Sequence, residues 1–554
     1  MAIIGFTASP HGASCKPVDW LDKKQFSEYT NACNGAGSKF HSESKSFIVP
    51  LKLVMDLSRE LSDIGFKVRI SPTLLSYIEK NKPTSRTSGN INSLRSRLRA
   101  KGLTLYPHQE DGIKFLSSRS NAALFDSMGV GKTCQSICSI PEKSPVLIIC
   151  PAVVKQTWVN EFSLWADSFN CQIINGRGNF RWPNAGEVLI CNYEILPPAK
   201  SRGRLGYCLD KELEDPLRGT VVICDEAHKA KNPGAKRTKS VKAICKAATN
   251  RKGKVWLLTG TPLMNRPPEL WNVLGIANLQ QKSFGTWKNF VSKFNGKPTG
   301  FNRTLEWGTP KPEVPNLIRR VSLRRSLTAV IKDMPPKRRQ DIVVDIDKQT
   351  QDQCEKAMLE LDKLGINLED ALNSSIRSKR DAPGFEELSK ARSMLAISKV
   401  PAALSIIEEY EEAEEPLIVF SSMRAPIDSL VNRANWEVIT GSVSTKNRPA
   451  IVEKFQKGKL KGLGLTIGAG GIGITLTHGA YALFVDLDWN PANNSQAEDR
   501  IHRIGQSRPQ LIKRIIANHA LDQKICSILT KKQSIIEASI DASSVKGMGN
   551  DNRE

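Results

Sequence analysis

The segment Ala122-Ala123-Leu124-Phe125-Asp126-Ser127-Met128-Gly129-Val130-Gly131-Lys132-Thr133 carries the clearest structural signal in the chain. Small and apolar residues suited to a buried strand run into a turn containing Gly129 and Gly131, and a helical stretch follows from Cys134. Strand, glycine turn and helix in that order line up successive backbone N–H groups as an anion cradle. Lys132 would add positive charge for the β and γ phosphates, and the Thr133 hydroxyl would hold Mg2+. The full G-x-x-x-x-G-K-[ST] pattern is not met, because Asp126 stands where its first glycine belongs.

Working outward, Val146–Cys150, Val188–Cys191, Val221–Cys224 and Val255–Leu258 are short, largely β-branched apolar runs separated by helix-length segments. Strands buried on both faces and spaced this way predict a parallel α/β sheet. With Ala122–Phe125 they define a doubly wound lobe over residues 98–275. A second series, Leu417–Phe420, Glu437–Ile439, Leu463–Ile467 and Ala482–Asp486, predicts another lobe over 401–542. Between them, residues 276–400 hold the basic turns Arg319–Arg325 and Lys337–Arg339, a Met334-Pro335-Pro336 break and helical stretches from Gln349 to Ser393, expected to be a helical insertion and basic linker. Residues 1–97 are expected to form a small α/β accessory domain, with strands at Phe47–Leu51 and Phe66–Ile70, a helix over Val54–Ile64, and a polar linker over Lys80–Ser96. The tail, 543–554, is expected to be flexible.

Length and composition fit this layout. The 554 residues allow several domains, and 40% hydrophobic with 25% charged residues excludes wholesale disorder and collagen-like repeats. The balance of 80 Lys+Arg against 56 Asp+Glu leaves a net charge of +24, which makes nucleic acid the first expected partner and an acidic membrane surface the second. The 12 cysteines contain no C-x-x-C pair and several sit in apolar runs, so buried thiols are expected rather than zinc or disulfides. The opening MAIIGF lacks a basic n-region, and no apolar run reaches membrane-spanning length. A monomer in the cytoplasm or nucleus, without a membrane partner, is the expectation.

A second acidic motif completes the first lobe's chemistry. Asp225-Glu226-Ala227-His228 ends the Val221–Cys224 strand, and carboxylates at that edge of a parallel sheet face the ligand crevice. Asp225 would coordinate Mg2+, directly or through water, while Glu226 would orient and deprotonate an attacking water. Gln109, in Leu105-Tyr106-Pro107-His108-Gln109, has an amide that both donates and accepts, which suits the N6 and N7 edge of adenine. Trp158 and Trp165, seven apart, fit a core stripe better than a base-stacking platform.

These motifs, with Leu258-Thr259-Gly260-Thr261-Pro262, Ala469-Gly470-Gly471-Ile472-Gly473, Asp488-Trp489-Asn490-Pro491 and Gln496-Ala497-Glu498-Asp499-Arg500-Ile501-His502-Arg503-Ile504-Gly505-Gln506, occur in one order over residues 103–530. The chain resembles a superfamily 2 helicase-type ATPase of the Swi/Snf class. Within that class it is most similar to the HepA-related annealing helicases, on Gly260-Thr261-Pro262-Leu263-Met264-Asn265-Arg266-Pro267 and Gln496-Ala497-Glu498-Asp499-Arg500. Lys45-Ser46-Phe47-Ile48-Val49-Pro50 resembles part of the small HepA-related DNA-binding domain that precedes such motors. Ser127 and Gly468 depart from the acidic and larger residues usual at those positions.

The resemblance implies two RecA-like lobes and a DNA-stimulated ATP hydrolase using ATP and Mg2+. Arg500 and Arg503 match the family's arginine fingers, Gln496 a γ-phosphate or water-positioning group, and Gly473 a nucleotide-binding glycine. Fingers on the second lobe tie cleavage to lobe closure. The DNA grip is expected from the loops Pro151–Lys155, Asn192-Tyr193, Thr259–Pro262, Ser421-Ser422 and Gly470–Thr477, which contact phosphates without reading bases. Arg319–Arg325 and Lys337–Arg339 are expected to add positive charge to that surface. The implied activity is ATP-dependent translocation that remodels forked, branched or partly unwound DNA and anneals strands. The alternatives are a motor that displaces proteins or RNA polymerase from DNA, and an ATP-switched DNA-binding module.

Overall fold

A computed structural model of the chain describes residues 2–9, 12–35, 38–49, 51, 54–80, 86–199, 219–299, 304–331, 333–374, 385–444, 447–470, 474–503 and 505–540. The expectation for the 543–554 tail lies outside these residues. The first sheet joins β1 (Ile3–Ser9), β2 (Gly12–Pro17), β3 (Lys39–His41), β4 (Ser46–Val49) and β5 (Lys67–Ile70) in the order β3-β4-β2-β1-β5. The helix Val54–Asp63 lies between β4 and β5 as its apolar spacing requires, and Leu57 and Leu61 enter the same core as Ile4, Phe6 and Val49. The polar stretch expected to be a linker is different. Residues Arg86–Ala100 form a helix whose Ile91, Leu94 and Leu98 pack on Ile113. Three apolar residues at helical spacing outweigh the polar ones between them.

The second sheet contains β6 (Asn121–Leu124), β7 (Val146–Cys150), β8 (Asn170–Ile173), β9 (Glu187–Asn192), β10 (Val221–Asp225) and β11 (Lys254–Leu258). A two-residue strand, β14 (Ser322–Leu323), follows the small hairpin β12 (Lys297–Thr299) and β13 (Thr304–Glu306) and pairs with β6. All strands of this sheet are parallel, in the order β14-β6-β11-β10-β7-β9-β8. Every residue of β7 and β9 is buried. Alternate residues feed opposite cores, Leu147 and Ile149 on one face, Val146 and Ile148 on the other. Each such side chain contributes roughly 1.5–3 kcal/mol by leaving water. This rigid sheet fixes the loops at its C-terminal edge.

The third sheet comprises β15 (Lys337–Val344), β16 (Leu417–Ser421), β17 (Trp436–Ile439), β18 (Gly462–Thr466), β19 (Tyr481–Phe484) and β20 (Gln510–Ala517). It too is parallel, ordered β15-β20-β19-β16-β18-β17. Strand pairing therefore splits the expected insertion: β14 extends the first lobe's sheet and β15 the second's, so the crossing lies between Leu323 and Lys337. At the other end of the chain, the helix Ala520–Ile540 places Leu521, Ile525 and Leu529 in a second-lobe core and Ile536 and Ile540 in a first-lobe core. No helix among the described residues is long and apolar enough to cross a membrane, and none of the described cysteines forms a disulfide.

Part of the basic charge at the crossing is committed to internal partners, whereas Arg319, Arg338 and Arg339 remain exposed. Arg325 Nε donates to Asp126 Oδ1 at 3.0 Å, its Nη2 donates to Gln135 Oε1 at 2.7 Å, and its Nη1 donates to the His108 carbonyl. Arg324 donates to the carbonyls of Phe125 and Gly260. Lys337 and Arg339 both pair with the buried Glu498, at 3.0 and 2.7 Å. Asp126, fully buried where a P-loop glycine was missed, is thus one half of an ion pair. Removing one partner of such a pair leaves a charge stranded. Arg325→Ala is expected to destabilise the first lobe by about 3–5 kcal/mol, read as a lowered denaturant midpoint, with the Asp126→Ala/Arg325→Ala pair costing less than the sum of the single changes.

Candidate active site

The turn after β6 is built from two left-handed glycines, Gly129 at φ 79° and Gly131 at φ 87°. A Cβ on Gly131 would stand 2.5 Å from Gln109 Nε2, and one on Gly129 3.5 Å from Arg503 Cγ. Gln109 therefore packs on the turn from the helix Pro107–Ser117, and Arg503 reaches it from the second lobe. Gln109 Oε1 also accepts the Tyr106 N–H at 3.0 Å, which caps that helix and leaves the amide nitrogen toward the turn. The helix after the turn starts at Lys132 itself. Lys132 Nζ donates to the carbonyls of Asp126 and Ser127 at 2.9 and 3.1 Å. Burial lowers the pKa of its ammonium, opposed by the charges of Glu226, Asp126 and Asp225. Thr133, half-buried, follows it in the first turn.

β10 delivers the two carboxylates. Glu226 takes a left-handed conformation, φ 50° and ψ 50°, which costs a residue with a Cβ roughly 1 kcal/mol and persists only where its surroundings impose it. Its N–H donates to Asp225 Oδ1 at 2.9 Å. Asp225 Oδ2 accepts from Trp158 Nε1 at 2.9 Å, and the Asp225 carbonyl accepts from the Tyr193 hydroxyl at 2.7 Å. Burial and the neighbouring Glu226 charge raise the pKa of Asp225. Burial acts the same way on Glu226, but the His228 hydrogen bond and the charges of His228, Lys132 and Arg500 outweigh it and hold that carboxyl low. One carboxylate is kept ionised beside another that resists ionisation without a cation.

From Glu226 a chain of hydrogen bonds crosses to the second lobe. Thr259 Oγ1 donates to Glu226 Oε2 at 3.4 Å and lies 2.9 Å from His228 Nδ1. The same nitrogen is 3.3 Å from Thr261 Oγ1, which accepts from Gln496 Nε2 at 2.9 Å. Gln496 sits in the helix Pro491–Glu498, held from behind by the Glu498 pairs with Lys337 and Arg339.

The helix that carries Gln496 ends at Glu498, and Arg500 and Arg503 lie in the turns beyond it. Arg500 is fully buried and donates to the Ile474 carbonyl at 3.2 Å. Arg503 donates to Thr475 Oγ1 and to the Asp499 carbonyl, each at 2.9 Å. Burial, then the Arg503 charge, pushes Arg500 down to about 9. Two guanidiniums crowded in a desolvated cleft are relieved by an anion between them and the glycine turn. Gly473 lies outside the described residues.

Several side chains expected to grip DNA turn inward instead. Lys155 Nζ donates to the Ile174 carbonyl at 2.8 Å, and Ser421 and Ser422 both donate to Asp486. Tyr193 and Thr259 serve the carboxylates as described. Sequence reasoning missed this supporting layer because each member also reads as something else: Trp158 as core, Tyr193 and Thr259 as members of loops placed to contact DNA. The available signal was that all follow the C-terminal ends of β7, β9 and β11, neighbours of β10 in the same sheet.

The residue chemistry fits a nucleotide with a divalent cation. Thr133 and Asp225 offer hard oxygens of the kind Mg2+ takes alongside substrate phosphates. Among the described residues no group of three or more His, Cys, Asp or Glu could cage a metal.

Comparison with known proteins identifies the family. Residues 108–382 match the SNF2-related domain, and residues 398–505 match the helicase conserved C-terminal domain. The human protein named DNA annealing helicase and endonuclease ZRANB3 is 28% identical over 480 residues, covering 83% of this chain and 42% of its own. A Xenopus laevis SWI/SNF-related matrix-associated actin-dependent regulator of chromatin subfamily A-like protein 1 is 27% identical over 509 residues, covering 87% of this chain and 49% of its own. The chain thus spans under half the length of these curated relatives. The SWI2/SNF2 ATPase core of Sulfolobus solfataricus, solved in complex with dsDNA, aligns with 80% of this chain and 95% of its own at 24% identity and a TM-score of 0.34. With both family models matched in order and two parallel-sheet lobes meeting at one cleft, the chain belongs to the SNF2-related, helicase-like ATPases and is an ATP-hydrolysing enzyme.

Proposed function

We propose that this ATPase is a DNA-stimulated translocase that remodels forked, branched or partly unwound DNA and rewinds complementary strands. The observation that carries the reading is the hydrogen-bond chain from Glu226 through Thr259, His228 and Thr261 to Gln496, because it makes the hydrolytic carboxylate depend on the position of the second lobe. Glu226, ionised, accepts the proton of the attacking water and sets its direction. Lys132 leaves the Asp126 and Ser127 carbonyls for the β and γ phosphates, while backbone N–H groups of the Gly129–Gly131 turn receive phosphate oxygens. Gln109 faces the adenine, and Gly473 is assigned to nucleotide binding by the family resemblance alone. Asp225 and Thr133 would hold Mg2+, which supplies positive charge to the phosphate oxygens when bound. Arg500 and Arg503 meet the charge that develops on the γ-phosphate, and Gln496 positions that phosphate or the water.

This division of labour converts hydrolysis into motion. The arginines are competent only when the lobes are closed, and loss of the γ-phosphate removes the anion that offsets their mutual repulsion. Alternate closing and opening on one strand advances the protein along it. Because the loop side chains turn inward, strand contacts fall to loop backbone N–H groups and to exposed cations such as Lys236, Lys239 and Lys246 on the helix Lys236–Asn250. Such contacts follow phosphate spacing rather than base identity. The net charge of +24 supports a polyanionic track, and the annealing activity in the human relative's name supports the substrate class.

Lys132→Ala and Glu226→Gln are each expected to lower DNA-stimulated phosphate release by at least about 10²-fold and to abolish remodelling of a protein-free fork. Arg503→Ala is expected to lower turnover by about 10³- to 10⁵-fold with nucleotide binding retained. Hydrolysis that DNA does not stimulate, or that survives Lys132→Ala, contradicts the motor. DNA-stimulated hydrolysis with intact forks and displaced protein roadblocks would replace strand remodelling with protein stripping. DNA affinity should fall about 10³- to 10⁵-fold between roughly 50 and 200 mM salt if about six to ten phosphates are contacted; a flat dependence contradicts a phosphate-tracking footprint.

A further inference from the structure

We infer that Trp158 is a positioning residue for Asp225, fixing the carboxylate through its indole N–H so that the site binds Mg2+ with its nucleotide. The inference rests on the reading that Asp225 is a metal ligand.

Trp158 is 1% exposed, in the helix Lys155–Trp165, and packs near Phe162 with ring centroids 6.3 Å apart. A buried indole N–H needs an acceptor. Carbonyl groups are abundant around such a helix, yet this N–H points to Asp225 Oδ2 at 2.9 Å, across a sequence gap of 67 residues. The other carboxylate oxygen accepts the Glu226 N–H, and the Asp225 carbonyl is held by the Tyr193 hydroxyl at 2.7 Å. Both carboxylate oxygens are thereby oriented while each keeps a lone pair for a further partner.

The arrangement runs sideways along the sheet. In the order β10-β7-β9, Asp225 ends β10, Trp158 follows β7 and Tyr193 follows β9. Trp158 stands directly after the Pro151–Lys155 segment, whose lysine is already committed to the Ile174 carbonyl. Groups that orient a metal-binding carboxylate from behind commonly govern metal affinity without touching the ion.

The test separates ring from N–H. Trp158→Phe keeps an aromatic ring and removes the donor. Binding of a fluorescent ADP analogue is measured across Mg2+ concentrations and again in EDTA, without turnover or DNA, alongside Asp225→Asn and the thermal unfolding midpoint. Trp158→Phe is expected to raise the Mg2+ concentration for half-maximal enhancement by about 10- to 100-fold, to leave binding in EDTA unchanged, and to be partly rescued by Trp158→His, which restores a ring N–H. An unchanged Mg2+ requirement in Trp158→Phe, whether or not its unfolding midpoint falls, overturns the inference and leaves Trp158 a core residue. If Asp225→Asn also leaves the Mg2+ requirement unchanged, the assignment of Asp225 to the metal fails first.

Discussion

Like charges are crowded on both sides of the cleft, Arg500 beside Arg503 and Asp225 beside Glu226, and the rest of the molecule is arranged around that. On the second lobe, Arg500 is fully buried, and burial with Arg503 close by depresses its pKa. On the first lobe, Asp225 is raised by burial and by Glu226. In the proposed mechanism a phosphate chain with a divalent cation brings negative charge to one side and positive charge to the other. On that reading ligand binding and lobe closure become one event, as expected when opposite charges are desolvated together.

The interlobe connection appears to a sequence reader as a basic linker, and its physical role is to fix each half of the cleft. Arg325 ties the loop before the glycine turn to the helix that carries Gln109, through Asp126, Gln135 and the His108 carbonyl. Lys337 and Arg339 hold Glu498 at the end of the helix that carries Gln496. The same short crossing thus anchors the nucleotide turn and the cross-lobe amide. The helix Ala520–Ile540 ties the lobes again, with apolar residues in a core of each.

Much of this was legible in the chain because buried parallel strands are compositionally loud. Val146–Cys150 and Val221–Cys224 sit where expected, as do the glycine turn and the Asp225–Glu226 pair at the sheet edge. What stayed hidden was polar structure at edges. β15 begins Lys-Arg-Arg-Gln-Asp and is largely exposed, so it resembles a turn until its eight residues are seen paired with β20. The helix Arg86–Ala100 hid its three apolar anchors among serines, asparagines and arginines. The residues of the proposed site stood out because glycine turns, paired carboxylates and arginines at strand edges are conspicuous in a sequence. The layer behind it did not, since a tryptophan donor or a threonine relay gains meaning only from the partner brought to it across the fold.

The contact between Thr261 and Gln496 tests the dependence of hydrolysis on the second lobe most directly. A double-mutant cycle of Thr261→Val and Gln496→Ala, read as DNA-stimulated kcat with each single variant alongside, isolates the pair. Strong coupling is predicted, about 0.5–3 kcal/mol, with the double variant little worse than the poorer single one. Fully additive losses would contradict a hydrolytic site completed across the lobes by this contact.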